Sequence, residues 1–189
     1  MIKNQISFIL LFLASLSCDS GNHTRTYHLP KTKVKTFTPS TVEKVTEISR
    51  FIWEKPASWI PAEGSSMRLA SFEIPFSSGS GDLSIMELGG DGGGLEANVN
   101  RWRGQIGLDP LIKLEIEDEA ENGVSQLGNY QLFRLINLEN KESAFLAAVF
   151  PLESKTLFIK LTASADGILE IEKDFKDFCS SMRLENSKQ

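Results

Sequence analysis

The chain has 189 residues, with 20 Lys and Arg against 25 Asp and Glu, for a formal charge of −5. With 41% hydrophobic and 24% charged residues it has the composition of a globular domain, and its acidic balance offers no basic field to nucleic acid or an anionic lipid surface. Both histidines, His23 and His28, lie near the start, so everything after them lacks imidazole; that removes Ser-His-Asp and Cys-His nucleophilic systems and nearly every common zinc site.

Lys3 precedes an apolar core from Ile6 to Leu13, and the small neutral run Ala14-Ser15-Leu16-Ser17 ends at Cys18. This layout predicts a secretory signal peptide over residues 1–17, too short for a membrane span. A Cys at that place resembles the cleavage and acylation site of bacterial lipoproteins, with Ser15 standing where the usual lipobox has Leu. The resemblance implies a lipid on Cys18 and a tether to a bacterial membrane, facing the periplasm or the outside. The alternative is a soluble exported protein cut nearby. Asp19 resembles the inner-membrane retention signal of some enterobacterial lipoproteins, a rule that does not hold across bacteria and leaves the choice of membrane open.

Residues 18–41, rich in Ser, Thr, Asn, Lys and Pro, read as the lipid-anchor cysteine and a flexible tether, with the segment from Tyr27 to Lys31 as a stretch able to dock on the domain. Residues 42–185 read as a single α+β domain and 186–189 as a disordered tail. Within the domain, Val42, Val45, Ile48 and Ile52 step by three, three and four, which favours a short helix from Thr41 to Ile52 with Ser40 or Thr41 as its cap, although the β-branched content leaves a strand open. The segment Trp53 to Trp59 is broken by Pro56 and reads as an edge strand or turn opening the domain.

Strands are predicted from Met67 to Ile74, ending at Pro75, and from Leu83 to Leu88, joined by a Ser/Gly loop from Ser77 to Gly81. Three more run over Tyr130 to Asn137, Ala144 to Phe150 and Lys155 to Thr162, with short links that favour antiparallel pairing. One helix runs from Leu95 to Ile106, with Leu95, Val99, Trp102 and Ile106 on one stripe and Gly107 and Pro110 closing it. A second runs from Ile168 to Arg183 with Ile168, Ile171, Phe175, Phe178, Cys179 and Met182 toward the core. On that face Cys179 reads as a buried, inert thiol; if Cys18 is acylated it has no disulfide partner within the chain. The whole predicts an α+β fold, an antiparallel sheet of about five to seven strands flanked by helices.

The stretch Met67-Arg68-Leu69-Ala70-Ser71-Phe72 and the run Asn98-Val99-Asn100-Arg101-Trp102-Arg103 resemble a group of uncharacterised bacterial envelope proteins, as do Tyr27 to Lys31 and Trp53 to Trp59. That resemblance spans Tyr27 to Leu184 and implies kinship without an activity. The ending, two adjacent strands leading into a final helix, more distantly resembles the PsbP-like fold, which implies an α/β/α sandwich and accessory or binding roles without catalysis.

Three features invite a site. Gly89 to Gly94 before a helix suggests a phosphate cradle, but the spacing matches neither nucleotide fingerprint, and a turn that lets the helix pack closely on the sheet is the simpler reading. The acidic run Glu115 to Gly123 lacks the alternation of a calcium loop and reads as a solvated helix end or hairpin. Asn98, Arg101 and Gln105 share one side of their helix beside Trp102, a grouping able to clamp a carboxylate, a glycan or a peptide backbone. The structural alternative has these side chains satisfy loop carbonyls and hold the Trp53–Trp59 loop. No residue is assigned a catalytic, metal or cofactor role.

The functional expectation is a lipid-anchored envelope protein with a binding or accessory role, whose partner is an envelope protein or a small polar ligand. The alternatives are an enzyme that works through carboxylate or Lys chemistry without histidine, and a structural subunit of an envelope complex.

Overall fold

The computed structural model describes residues 51–185. The expected signal peptide, Cys18, the tether with its Tyr27–Lys31 segment, most of the Thr41–Ile52 helix and the 186–189 tail lie outside them.

Short strands β1 (Phe51–Ile52) and β2 (Ile60–Pro61) come first, followed by the long hairpin β3 (Arg68–Phe76) and β4 (Gly79–Gly89). Helices α1 (Leu95–Gln105) and α2 (Lys113–Glu119) lead to a meander of β5 (Glu121–Ser125), β6 (Gly128–Ile136), β7 (Ala144–Pro151) and β8 (Lys155–Ala163). Helix α3 (Ala165–Ser180) and β9 (Arg183–Leu184) complete the order. The main sheet has seven strands in the order β2-β3-β4-β8-β7-β6-β5, every pair antiparallel, so the predicted α+β architecture is present.

Each face of the sheet carries its own core because side chains alternate along every strand. On one face Ile168, Ile171, Phe175 and Phe178 of α3, with Met182 just after it, lie over Ile74, Leu83, Ile85, Leu146, Phe150 and Leu161. On the other, Val99, Trp102 and Ile106 of α1 and Ile116 of α2 cover Phe133, Leu135, Phe145, Val149 and Phe158. Strand β7 lies under both layers, which is why Ala144 to Phe150 reads as an unbroken apolar run, every residue of it buried.

Several boundaries move for identifiable reasons. Phe51 and Ile52 form a strand with Arg183 and Leu184 rather than a helix end, so the predicted helix does not reach Ile52. β3 runs through Pro75 to Phe76. Phe76 and Gly79 close a two-residue turn, so Pro75 turns its missing donor toward the side where β2, paired only at Phe72 and Glu73, has ended. α3 begins at Ala165 because the Ser164 side chain accepts from the Gly167 N–H at 3.2 Å, and it stops at Ser180, freeing Arg183 for β9. Strand β5, which opens within the acidic run read as a helix end or hairpin, holds Gly123 opposite Tyr130, whose ring fills the space where a Cβ would stand; such an atom would come within 2.1 Å of Cζ.

Candidate functional site

The glycine run positions α1. Gly92 has φ +64°, and a Cβ there would fall 2.5 Å from the Phe158 ring, so the turn owes its close seat on the sheet to having no side chain. The Thr156 hydroxyl donates to the Gly90 carbonyl at 2.9 Å, and the Asp91 carboxylate accepts from the Gly93 N–H at 3.0 Å. The Gly93 amide is thus taken by an acidic side chain of the protein, those of Gly92 and Gly94 by the carbonyls of Gly89 and Asp91, and Glu96 sits in the first helical turn.

The six-residue run from Asn98 to Arg103 then divides by role. Asn98, 2% exposed, donates from Nδ2 to the carbonyls of Gly92 at 3.0 Å and Gly94 at 2.7 Å, pinning the loop to the helix. Val99 and Trp102 are core; the Trp102 ring meets Phe158 edge-on at 6.2 Å. Asn100 brackets Leu111, accepting from its N–H and donating to its carbonyl, both at 2.8 Å. Arg103 donates to the Asp109 carbonyl at 2.7 Å and pairs with Glu119 at 3.1 Å. Arg101 alone points outward, touching the Asn98 carbonyl oxygen through Nη2.

Of the four predicted ligand residues, Asn98 and Trp102 are therefore buried structural groups, while Arg101 and Gln105 are exposed, Gln105 reaching Lys160 of β8. They do not brace the Trp53–Trp59 loop. That loop packs on the opposite face of the sheet, where Trp59 lies 5.0 Å from Phe178 and Lys55 donates to the Trp59 carbonyl at 2.8 Å.

Lys160 of β8, which the sequence reading passed over, completes the group. Its Nζ donates to Gln105 Oε1 at 2.9 Å and stands 3.7 Å from the centroid of the Phe145 ring. Burial lowers its pKa to about 8, Arg101 pushes in the same direction with a smaller contribution from Arg68, and Asp82 opposes. Arg68 is neutralised by a two-pronged bond to Asp82, both contacts 2.9 Å, and also donates to Ser71. No carboxylate among the described residues pairs with Arg101 or Lys160. Among the described residues, the hydrogen-bond partners of these two cations are neutral. The signal in the sequence is slight: a lone Lys on the alternation that also carries Phe158.

The remaining sequence features find structural places. Glu115 to Glu119 lie in or cap α2, where Glu115 accepts from the Ile112 N–H at 3.0 Å, and Glu121 opens β5 and pairs with Lys176 at 2.7 Å. Cys179 is buried in the α3 core, and burial holds its thiol pKa well above the ordinary value.

No family model and no curated protein matches the chain. Among solved structures it is similar to a crystal structure from Bacteroides thetaiotaomicron VPI-5482, at 12% identity and a TM-score of 0.44. The match covers 74% of this chain and 46% of that one, so the chain spans less than half that protein's length. It is also similar to the solution structure of cyanobacterial PsbP (CyanoP) from Synechocystis sp. PCC 6803, at 15% identity and a TM-score of 0.43, over 78% of this chain and 100% of that one. The coarse arrangement expected from the ending is present: β7 and β8 pair antiparallel and run into α3.

Proposed function

We propose that the protein is an exported, lipid-anchored member of the envelope group that the Asn98–Arg103 run resembles, and that it binds, without catalysis, a ligand bearing a carboxylate or phosphate between Arg101 and Lys160. One observation carries the binding reading: Lys160 lies near enough to Arg101 for that charge to lower its pKa, and among the described residues the hydrogen-bond partners of the two cations are the neutral Gln105 and Asn98. Keeping them so costs folding free energy, and an anion shared between them reverses that cost. The guanidinium fork suits a planar carboxylate or a phosphate, and the ammonium adds a point charge.

The test is a titration of Lys160 by NMR in the presence and absence of inorganic phosphate or succinate. A saturable rise of the Lys160 pKa that is lost in Arg101→Gln supports the site; an unchanged titration curve in both anions refutes it. The anchor is tested separately by intact mass and membrane fractionation of wild type against Cys18→Ala, and a soluble wild type of unmodified mass refutes that part. The depressed Lys160 pKa also favours a second reading, an amine that attacks carbonyl substrates. Borohydride trapping of a Lys160 adduct with a carbonyl compound would select it over simple binding.

A further inference from the structure

Strand β6 outruns its neighbour at the edge of the sheet. β5 accompanies it only from Gly128 to Leu132, whereas β7 follows it to Ile136 on the other side, so Phe133–Ile136 border no strand on the β5 side. The direction of their main-chain groups follows from the register. Ser125 and Gly128 close a two-residue hairpin as a hydrogen-bonded pair, so Gly128, Tyr130 and Leu132 turn their N–H and C=O groups toward β5. The β7–β8 hairpin gives the same phase independently. Leu152 donates to the Lys155 carbonyl at 2.8 Å, which turns Ala148 and Phe150 toward β8 and leaves Phe145, Ala147 and Val149 to bond Leu135, Phe133 and Gln131. Arg134 and Ile136 therefore aim their N–H and C=O groups at the open side, where no described residue takes them.

This edge is recessed. It borders a cleft of about 480 Å³ whose walls are Arg103, Leu108 and Glu119 on the α1–α2 side and Arg134, Glu172 and Lys176 on the α3 side. The charged side chains there are already matched: Arg103 with Glu119 at 3.1 Å, Arg134 with Glu172 at 2.9 Å, and Lys176 with Glu172 at 3.0 Å and Glu121 at 2.7 Å. The cleft thus has no net charge with which to select an ion. The groups there that no described residue satisfies are two donors and two acceptors of the main chain, at the ~7 Å repeat of every second strand residue. Only another extended backbone presents the complementary series. A second copy of this chain cannot supply it from the same edge, because each edge lies behind its own walls.

We infer that the β6 edge over Phe133–Ile136 docks a short extended peptide segment of another protein, added in line with β5. Side chains of the added strand alternate between the two walls. One set meets Leu108 and Leu135 and calls for an apolar residue; the other meets the paired charges of Arg134, Glu172 and Lys176 and calls for a polar one. This surface is separate from the Arg101–Lys160 pair and stands or falls independently of it.

The test selects random octapeptides displayed on phage against the purified full chain, with counter-selection on Ile136→Pro. That substitution removes a docking donor while leaving the β6–β7 ladder intact, since the Ile136 N–H faces the cleft. The expected result is enrichment of sequences with apolar–polar alternation. A synthetic enriched peptide slows exchange of the Arg134 and Ile136 amides at least tenfold and binds Ile136→Pro at least tenfold more weakly. Leu108→Trp, which fills the cleft from its rim with the donors in place, gives the same loss and keeps the test decisive if the proline variant fails to fold. Failure to enrich any peptide, enriched peptides that leave those two amides unprotected, or dimerisation through this edge in sedimentation would each overturn the inference.

Discussion

Replacing Lys160 with Met should make the protein more stable at neutral pH while destroying the proposed anion site. The folded environment lowers the lysine pKa from 10.5 to about 8, chiefly by burial and secondly through Arg101. Without solvent, that displacement corresponds to about 3 kcal/mol against the charged form. The ammonium retains part of its hydration, and screening brings a usable figure to about 1 kcal/mol. The Phe145 ring and the Gln105 oxygen favour the charged form, but the unfolded chain's water replaces them at little loss. The sign with pH follows from proton counting. Below pH 8 both states hold the proton and the penalty is complete; between about 8 and 10.5 the unfolded state holds more protons than the folded one, so wild-type stability rises with pH. The advantage of Lys160→Met is therefore greatest at pH 7 and shrinks toward pH 10.5. Urea unfolding of both proteins at pH 7 and pH 10, compared as a difference so that other lysines cancel, measures it. A Met variant less stable than wild type at pH 7, or an advantage that does not shrink at pH 10, would refute the reasoning.

Asn98 and Arg101, one turn apart, should separate structure from binding. Asn98→Ala removes both side-chain bonds to the loop, leaving the half-buried Gly92 carbonyl without a donor and Gly94 with only the helical N–H of residue 98, and should cost about 1–2 kcal/mol, whereas Arg101→Ala should change stability by less than about 0.5 kcal/mol and abolish the anion response, both read from urea midpoints and the Lys160 titration. Gly123→Ala drives a methyl into the Tyr130 ring and should cost about 2 kcal/mol, lowering the melting temperature by roughly 4–8 °C. Burial raises the Tyr130 pKa to about 12, so the unfolded state loses that proton first and stability should fall from pH 10 to 12; Tyr130→Phe should flatten that part of the curve in denaturant titrations.

What the sequence disclosed depended on how local the cause was. Helix α1 and the strands β7 and β8 follow from apolar spacing that a single segment carries in full. Phe51 and Ile52 looked like the end of a helical stripe because their true partners, Arg183 and Leu184, are at the other end of the domain. The start of β5 reads only as part of a helix end or hairpin, since its polar residues and Gly123 favour no strand alone; pairing with β6 and cover from Tyr130 impose the conformation. The site was half legible for the same reason. Helical geometry put Arg101 beside Asn98, but Lys160 gains its meaning from Gln105, 55 residues earlier, and from a ring on the neighbouring strand.

The pairing of β4 with β8 also fixes an order of events. The β3–β4 hairpin is complete early in the chain, yet its inner edge meets its partner only when Lys155–Ala163 arrives, after α1, α2 and three strands of the meander. Until then the hairpin is a ribbon with an exposed, apolar-faced edge, and closing so long a loop is entropically slow. The same edge is a template for wrong partners during that interval. Leu83 and Ile85, sealed in the finished core, are thus the β4 side chains that a half-built sheet would leave beside its open edge.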